Sequence, residues 1–140
     1  MRYVLDCSVA VKWFVPESLS NTAERMLARY ESGEISLVAP NSIGAEFGHA
    51  LRKLVLGRAL TVDKALSILQ QFLAIKFDRV SVEPLAVDAL SLSVRHLATF
   101  YDALYISLAI REDVKVVTAD ERMVNAFAAL DRTISLATFS

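Results

Sequence analysis

The sequence predicts an α/β fold, a three-layer α/β/α sandwich around a central, mainly parallel sheet of about five strands. Short β-prone runs alternate with longer helical patterns along the whole chain, and this order is typical of parallel sheets. Of the 140 residues, 54% are hydrophobic and 22% are charged, which provides enough apolar surface for one core. No repeat, linker or low-complexity segment divides the chain. We therefore expect a single domain over residues 1–140.

The predicted strands are short runs rich in β-branched residues, bounded by acids, prolines or polar turns. The first run ends in an acid, the second is halted by Pro40, and the third alternates valine with polar residues. The fourth is a continuous apolar run of the kind found in buried parallel strands. The predicted strands are residues 3–5, 35–39, 80–83, 114–118 and 134–136.

Two helices are predicted between the first two strands. Ser8 is the expected cap of a short apolar helix, which Pro16 stops. Ser18 or Ser20 is the expected cap of the next helix, whose apolar residues recur at spacings of three and four until Gly33 closes it.

Three helices are predicted in the middle of the chain. Asn41 or Ser42 opens the first of them, which ends near Gly57, and Thr61 caps the second. Pro84 starts the third, because proline is well tolerated in the first turn of a helix.

Two further helices begin at polar capping residues. Thr99 and Asp102 form a capping pair, with a threonine followed three residues later by an acid. Asp120 lies at the start of the last helix and is expected to cap it.

Four of the acids stand in unexpected places. Asp6 and Asp120 follow the carboxyl ends of the first and fourth predicted strands, and Asp102 begins a strongly apolar helix. At 100° per residue, Glu46 falls on the edge of an apolar helical stripe. Ligands of open parallel sheets bind outside the carboxyl ends of the strands, so we expect these carboxylates to converge there. Converging carboxylates repel one another unless they are protonated or neutralised, and Mg²⁺ or Mn²⁺ suits a site made only of oxygens.

Each acid also has a purely structural interpretation. Asp120 and Asp102 are possible helix caps without any metal, and Asp6 is a possible cap of the first helix together with Ser8. Glu46 is explained equally by a lysine or arginine partner, because acids on apolar stripes are rare unless they are paired. The joint pattern of the four acids favours a metal site over these separate explanations.

Composition limits the other functional classes. The formal net charge of −1 gives no global attraction to nucleic acid, so RNA binding requires a local patch or bound cations. The chain has no cluster of cysteine and histidine residues, because His49, His96 and the single cysteine are far apart in sequence, and this argues against zinc. The single Cys7 cannot form an internal disulfide, and we interpret it as a small buried residue. Without a visible signal peptide or membrane-spanning run, we expect a cytoplasmic protein.

Four stretches of the sequence resemble the PIN domain family and, within it, the VapC-type toxins of toxin–antitoxin modules. They occur in the order found in that family and span nearly the whole chain. The stretches are VLDCSVAVKWF at 4–14, Glu46 followed by ALR at 50–52, YDALY at 101–105 and VVTAD at 116–120.

The resemblance implies an Mg²⁺- or Mn²⁺-dependent endoribonuclease, the toxin of a type II toxin–antitoxin system. It also implies a cognate antitoxin bound across helices near the pocket, and a homodimer or higher homo-oligomer. In one respect the chain departs from the family, which often has asparagine where this chain has His49. The catalytic and metal-binding acids implied by the resemblance are Asp6, Glu46, Asp102 and Asp120, with Ser8 and Thr118 as polar support.

Three other functions were weighed against this one. A receiver-type signalling domain needs an acidic pair on the first strand and a phosphoacceptor aspartate on a middle strand, and Cys7 follows Asp6 here. A phosphohydrolase with an Asp-x-Asp pair is excluded by Ser8. A non-catalytic or RNA-processing member of the same fold, outside any toxin–antitoxin pair, is the remaining alternative.

Two surface features are expected to bind partners. The region 54–77 is apolar on more than one helical face, so we expect part of it to form a self-association or antitoxin surface. Arg52, Lys53 and Arg58 either guide the RNA backbone or form an ordinary solvated helix face.

Overall fold

A computed structural model describes all residues from Met1 to Ser140. Five parallel strands form one sheet in the order β3-β2-β1-β4-β5, and this confirms the predicted α/β architecture with a parallel sheet of about five strands. The strands are β1 (Arg2–Leu5), β2 (Ser36–Pro40), β3 (Asp78–Val80), β4 (Lys115–Thr118) and β5 (Thr133–Ser135).

Seven helices connect the strands, and two short 3₁₀ turns precede and follow β5. Parallel crossovers are almost always right-handed, so the connections before β3 and those after β3 lie on opposite faces of the sheet. The helices are α1 (Cys7–Val11), α2 (Ser20–Glu31), α3 (Ile43–Leu56), α4 (Val62–Ala74), α5 (Glu83–His96), α6 (Phe100–Glu112) and α7 (Glu121–Ala126).

The order in which the chain adds strands to the sheet reverses after β3, and the point of reversal lies between β1 and β4. The first three strands run outward from β1 in one direction, and β4 then returns to pair with the other side of β1. Val4 pairs with Val38 on one side and with Val116 on the other, and all three are fully buried. A crevice opens beyond the carboxyl ends of β1 and β4, at this reversal.

Helix α6 covers the centre of the sheet. It contacts β1, β2 and β4, and every residue from 103 to 109 is buried. A helix that is apolar on all sides is expected only where it is enclosed by other elements. The core therefore extends without interruption from the sheet through α6 to α5.

Several predicted boundaries were wrong for local reasons. Asp6, rather than Ser8, caps α1, because the Asp6 carboxylate accepts the backbone N–H of Ser8. Leu19 occupies the capping position of α2 in the left-handed conformation, with a φ of 66°, and Ser20 is the first helical residue. Neither Ser18 nor Ser20 caps that helix with its side chain.

The second and third strands are displaced from the prediction, and the last one is slightly displaced too. Pro40 is the last residue of β2 instead of its stop, which is possible because proline is tolerated at the end of a strand. Strand β3 ends at Val80, whose carbonyl accepts the N–H of Asn41. Val82 already has the helical conformation that caps α5, so the alternation of valines there does not belong to a strand.

Candidate active site

Asp6 lies at the carboxyl end of β1, where the strand order of the sheet reverses. It follows β1 directly, is 6% exposed and has an extended backbone that turns the chain into α1. Its Oδ2 accepts hydrogen bonds from the hydroxyl of Ser8 and, at 2.8 Å, from Thr118 at the end of β4. These bonds are all made by Oδ2, so Oδ1 is the oxygen left for the cleft.

The hydroxyls around Asp6 are themselves fixed by the backbone. Ser8 Oγ accepts the N–H of Ala119 at 2.9 Å, and Thr118 Oγ1 accepts the N–H of Asp120 at 3.0 Å. This network joins the ends of β1 and β4, which pair in the sheet. Ser8 and Thr118, which the resemblance implies as polar support, therefore both contact Asp6 directly.

Glu46 reaches the same region from the first turn of α3. Its Oε2 accepts hydrogen bonds from the Tyr105 hydroxyl at 2.9 Å and from Ser42 Oγ at 3.1 Å. No lysine or arginine pairs with Glu46, so the ion-pair explanation of this acid was wrong. Neutral hydroxyls hold the carboxylate in place and leave its negative charge uncompensated.

Asp102 lies in the first turn of α6. Thr99 caps the helix by accepting the Asp102 N–H at 3.0 Å, as the capping pair predicted. The Asp102 carboxylate lies close enough to the Thr99 hydroxyl for that group to lower its pKa, against the larger effect of burial. It is half-buried and open to the cleft.

Asp120 is both a helix cap and a member of the site. Its Oδ1 accepts the Arg122 N–H at 3.0 Å and lies 3.4 Å from Arg122 Nε. Asp120 also lines the cleft shared with the other acids. The capping role therefore explains its position without excluding it from the chemistry.

An open cleft of about 610 Å³ brings the four acids together. Helices α3 and α6 form its sides, and the ends of β1 and β4 contribute its floor. The cleft is lined by Asp6, Cys7, Ser8, Val11, Ala45, Glu46, His49, Ala50, Lys53, Thr99, Tyr101, Asp102 and Asp120.

The acids disfavour one another's ionised forms. Burial is the largest cause that raises the pKa of Asp6, and the charge of Asp120 raises it further against the opposing hydrogen bonds. Burial, with a contribution from the charge of Asp6, raises the pKa of Glu46 to about 7 and that of Asp102 to about 6. Burial likewise raises the pKa of Cys7, so its thiol is a poor nucleophile at neutral pH.

The donor set suits a hard divalent cation. Carboxylate oxygens are ligands that Mg²⁺ and Mn²⁺ prefer. A cation would favour the ionised acids against both their burial and the smaller repulsion among them. No three acid, histidine or cysteine side chains are gathered closely enough to enclose an ion in the present conformation. The acids thus share one cleft, as predicted, but without forming a compact ligand cluster.

Sequence reasoning missed several residues of this cleft. It was not predicted from the sequence that Tyr105 and Ser42 hold Glu46. Ser42 lies four residues before Glu46, a spacing that places two side chains on the same face of a helix. Tyr101 was noticed only as part of a motif. Of the three basic residues weighed as RNA contacts, only Lys53 lines the cleft.

The PIN domain family model matches residues 3–130. This chain belongs to the PIN domain family. The receiver-type alternative also fails on topology, because a receiver-type sheet has the order 2-1-3-4-5, whereas β1 here lies between β2 and β4.

Relatives with curated names are ribonucleases of the VapC type. Ribonuclease VapC3 of Pyrobaculum aerophilum is 32% identical over 135 residues, which cover 93% of this PIN domain chain and 98% of the relative. Ribonuclease VapC1 of Mycobacterium tuberculosis is 36% identical over 88 residues. That second match covers 63% of this chain and 65% of the relative, slightly less than two thirds of its length.

Solved structures share the PIN fold. PAE2754 from Pyrobaculum aerophilum superimposes with a TM-score of 0.67 and 23% identity, over 99% of this chain and 94% of the other. VapBC2 from Rickettsia felis, solved bound to a DNA fragment from the promoter, gives a TM-score of 0.67 and 16% identity, over 96% and 97%. In this PIN domain no helix has both the length and the apolar character needed to cross a bilayer.

Proposed function

We propose that this PIN domain chain is the toxin of a type II toxin–antitoxin system and hydrolyses RNA phosphodiester bonds with Mg²⁺ or Mn²⁺. The observation that carries the proposal is the convergence of four carboxylates on one cleft at the point where the sheet reverses. The curated relatives named as VapC ribonucleases support the same activity.

Asp6 and Asp102 are the principal cation-binding residues in this proposal. Asp6 Oδ1 accepts no hydrogen bond from the protein, and the Asp102 carboxylate has only the Thr99 hydroxyl beside it, so binding a cation displaces no charged partner. Glu46 and Asp120 complete the shell, directly or through water. A bound divalent ion supplies an activated water and neutralises charge on the scissile phosphate.

The remaining residues of the cleft prepare this arrangement. Ser8 and Thr118 fix the Asp6 carboxylate, and Tyr105 and Ser42 fix the Glu46 carboxylate. These donors fix the orientation of the Asp6 and Glu46 carboxylates when no cation is present. The chain thus holds its ligand oxygens in position before the ion binds.

Cleavage of a single-stranded RNA tests the activity. The purified protein is expected to cut with Mg²⁺ or Mn²⁺ and to stop in EDTA, because a hard-cation site requires anionic ligands. Asp102→Asn should abolish cleavage, whereas Asp88→Asn, which neutralises an exposed acid outside the cleft, should retain it.

A binding measurement accompanies the activity test. At a hundredfold excess over Kd, Mn²⁺ should stabilise the native protein by about 2.7 kcal/mol, and Asp102→Asn should gain less. If Asp102 served only as a helix residue, both proteins would respond equally to Mn²⁺. Undiminished cleavage in EDTA would contradict the metal-dependent mechanism.

The proposed partners are RNA, a cognate antitoxin and a second copy of the chain. Together they imply a cytoplasmic site of action, since RNA and antitoxin are encountered there. An upstream gene encoding a small DNA-binding protein would support the toxin–antitoxin assignment. Without such a gene, a solitary RNA-processing nuclease would be the better assignment.

A further inference from the structure

Tyr101 places an exposed aromatic ring at the edge of the acidic cleft. The residue is 57% exposed and lines the cleft immediately before Asp102 in sequence. Thr99 caps α6 and so fixes the first turn that carries both residues. The seven residues that follow Asp102 are all buried, so Tyr101 belongs to the exposed first turn that precedes the buried part of this helix.

The ring makes few contacts that would explain its presence structurally. Its aromatic neighbour is Phe100, with ring centroids 6.3 Å apart at an angle of 73°. Phe100 is itself 37% exposed, so the pair adds little to the core. The Tyr101 hydroxyl makes no hydrogen bond within the protein, so no polar contact holds the ring against its own helix.

The charges of the cleft limit how it can hold RNA. Its floor carries carboxylates, and Lys53 is the one lysine or arginine that lines it. Since counterion release by lysine and arginine drives most nucleic-acid binding, this cleft has little of that driving force. Stacking of a base on an aromatic ring does not depend on charge neutralisation and accepts any base.

We propose that Tyr101 is a substrate-binding residue that stacks against an unpaired base of the RNA, next to the bond that is cut. This inference rests on the proposed ribonuclease function and narrows its substrate to single strands or loops. Bases within a double helix are already stacked on their neighbours and present no free face to the ring. Tyr101 thus selects for unpaired RNA while the adjacent Asp102 belongs to the proposed cation site.

The test compares Tyr101→Phe, which keeps the ring, with Tyr101→Leu, which keeps the apolar volume without it. Initial rates on a short single-stranded RNA with Mn²⁺ should give a KM about tenfold higher for the leucine variant. The phenylalanine variant should match the wild type, and kcat should be unchanged in both. Val94→Ala on α5, 67% exposed and outside the cleft, is the surface control.

A spectroscopic signal reports stacking independently of cleavage. A 2-aminopurine base in the same RNA should be quenched on binding to an Asp102→Asn protein in which Tyr101 is retained or replaced by phenylalanine. Quenching should be lost with leucine. Equal quenching and equal KM in the leucine variant would overturn the proposal, as would a phenylalanine variant as defective as leucine.

The outcomes also separate this inference from the proposed function. Ring-dependent quenching in the Asp102→Asn protein, together with a wild-type protein that does not cleave RNA, would support the stacking role and refute the nuclease. Cleavage with a KM that does not depend on the ring would refute the stacking role alone. A Tyr101→Leu variant impaired only in binding a protein partner would also overturn the RNA role.

Discussion

Tyr105 lies fully buried in α6 and donates a hydrogen bond to Glu46 across 59 positions of sequence. A hydrogen bond to an ionised group contributes about 1.5–3 kcal/mol, and this one favours the charged form of Glu46. It therefore opposes the burial that raises the Glu46 pKa to about 7. Proton loss from Glu46 in the cation-free protein depends on this single phenol and on Ser42.

Tyr105→Phe should raise the Glu46 pKa further, because the stabilising donor is removed while the burial remains. Cation binding requires the ionised acid, so the pH midpoint of the Mn²⁺-induced stabilisation should rise by roughly one unit. Thermal melts with and without Mn²⁺, repeated between pH 5 and 9, measure this shift.

Tyr3→Phe provides the matched control for that substitution. Tyr3 is also buried, but its ring packs edge-on against Phe139 and its hydroxyl makes no hydrogen bond within the protein. Its pH midpoint should stay at the wild-type value. An equal shift in both variants would show that the effect is a general loss of stability.

Helices α3 and α4 form a hairpin with two different faces. On its inner side Phe47 stacks on Phe72 with centroids 4.1 Å apart, and Gly44 allows close approach because a Cβ there would lie 3.2 Å from Leu73. On its outer side the apolar residues remain open to solvent. The exposed ones include Leu56 at 64%, Val62 at 58% and Leu66 at 56%.

A shallow groove of about 240 Å³ runs between the two helices, lined almost wholly by apolar side chains. This agrees with the expectation that one packed face cannot absorb the region 54–77. Substituting Leu56 and Leu66 with serine should weaken self-association or antitoxin binding, because the lost apolar area is desolvated only in the complex. Light scattering and hydrogen exchange of α4, with and without the antitoxin, measure the effect.

Leu90→Ser on α5, a leucine 58% exposed outside the groove, is the control. It should leave assembly through the groove unchanged. A protein that stays monomeric at high concentration, with α4 equally unprotected in the presence of the antitoxin, would contradict the partner role of this surface.

In the metal-free protein, the effect of the acids on the free energy of unfolding depends on pH. The folded-state pKa values of Glu46 and Asp102, about 7 and about 6, exceed the ordinary values of 4.5 and 3.8. Between those limits the folded state binds more protons than the unfolded state, so stability falls as pH rises. The stabilisation that comes from protonating Glu46 and Asp102 in the folded state is complete below about pH 4. It is lost as the pH rises through their folded-state pKa values of about 6 and about 7.

In EDTA, the free energy of unfolding should therefore decrease by about 1–2 kcal/mol between pH 4.5 and 7.5, less than the full pKa shifts imply because the cleft is open to solvent. Denaturant titrations at a series of pH values measure it. Asp102→Asn should be more stable than the wild type at pH 7.5 and show a shallower slope. A wild-type stability that rises across this range would contradict the raised pKa values that burial and the neighbouring acids give Glu46 and Asp102.

The sequence predicted those parts of the molecule that depend on local pattern. Asp6 and Asp120 were found because acids that directly follow buried strands are conspicuous, and Thr61 and Thr99 because capping geometry is local. Contacts between distant segments have no such signal. The hydrogen bond from Tyr105 to Glu46 depends on how α6 packs against α3. No local sequence pattern predicts that packing.

The elements whose boundaries were predicted wrongly also depend on contacts or conformations that no local pattern reveals. Val80 and Val82 alternate with polar residues as strand residues do, but the strand ends where its last carbonyl accepts the N–H of Asn41. Leu19 takes a left-handed backbone that is uncommon for a leucine, and no local pattern predicts it. The carboxylates were expected to converge, whereas their separation around the cleft depends on side-chain conformation.

The two strands at the sheet margins, β3 and β5, are only three residues long. A margin this short offers few unpaired N–H and C=O groups to a strand from another molecule, and short margins are a common protection against aggregation. Association of two molecules by pairing of these marginal strands is therefore disfavoured. Copies that accumulate without the proposed antitoxin should remain free of β-sheet polymers, even at concentrations where the exposed leucines of the α3–α4 groove begin to associate.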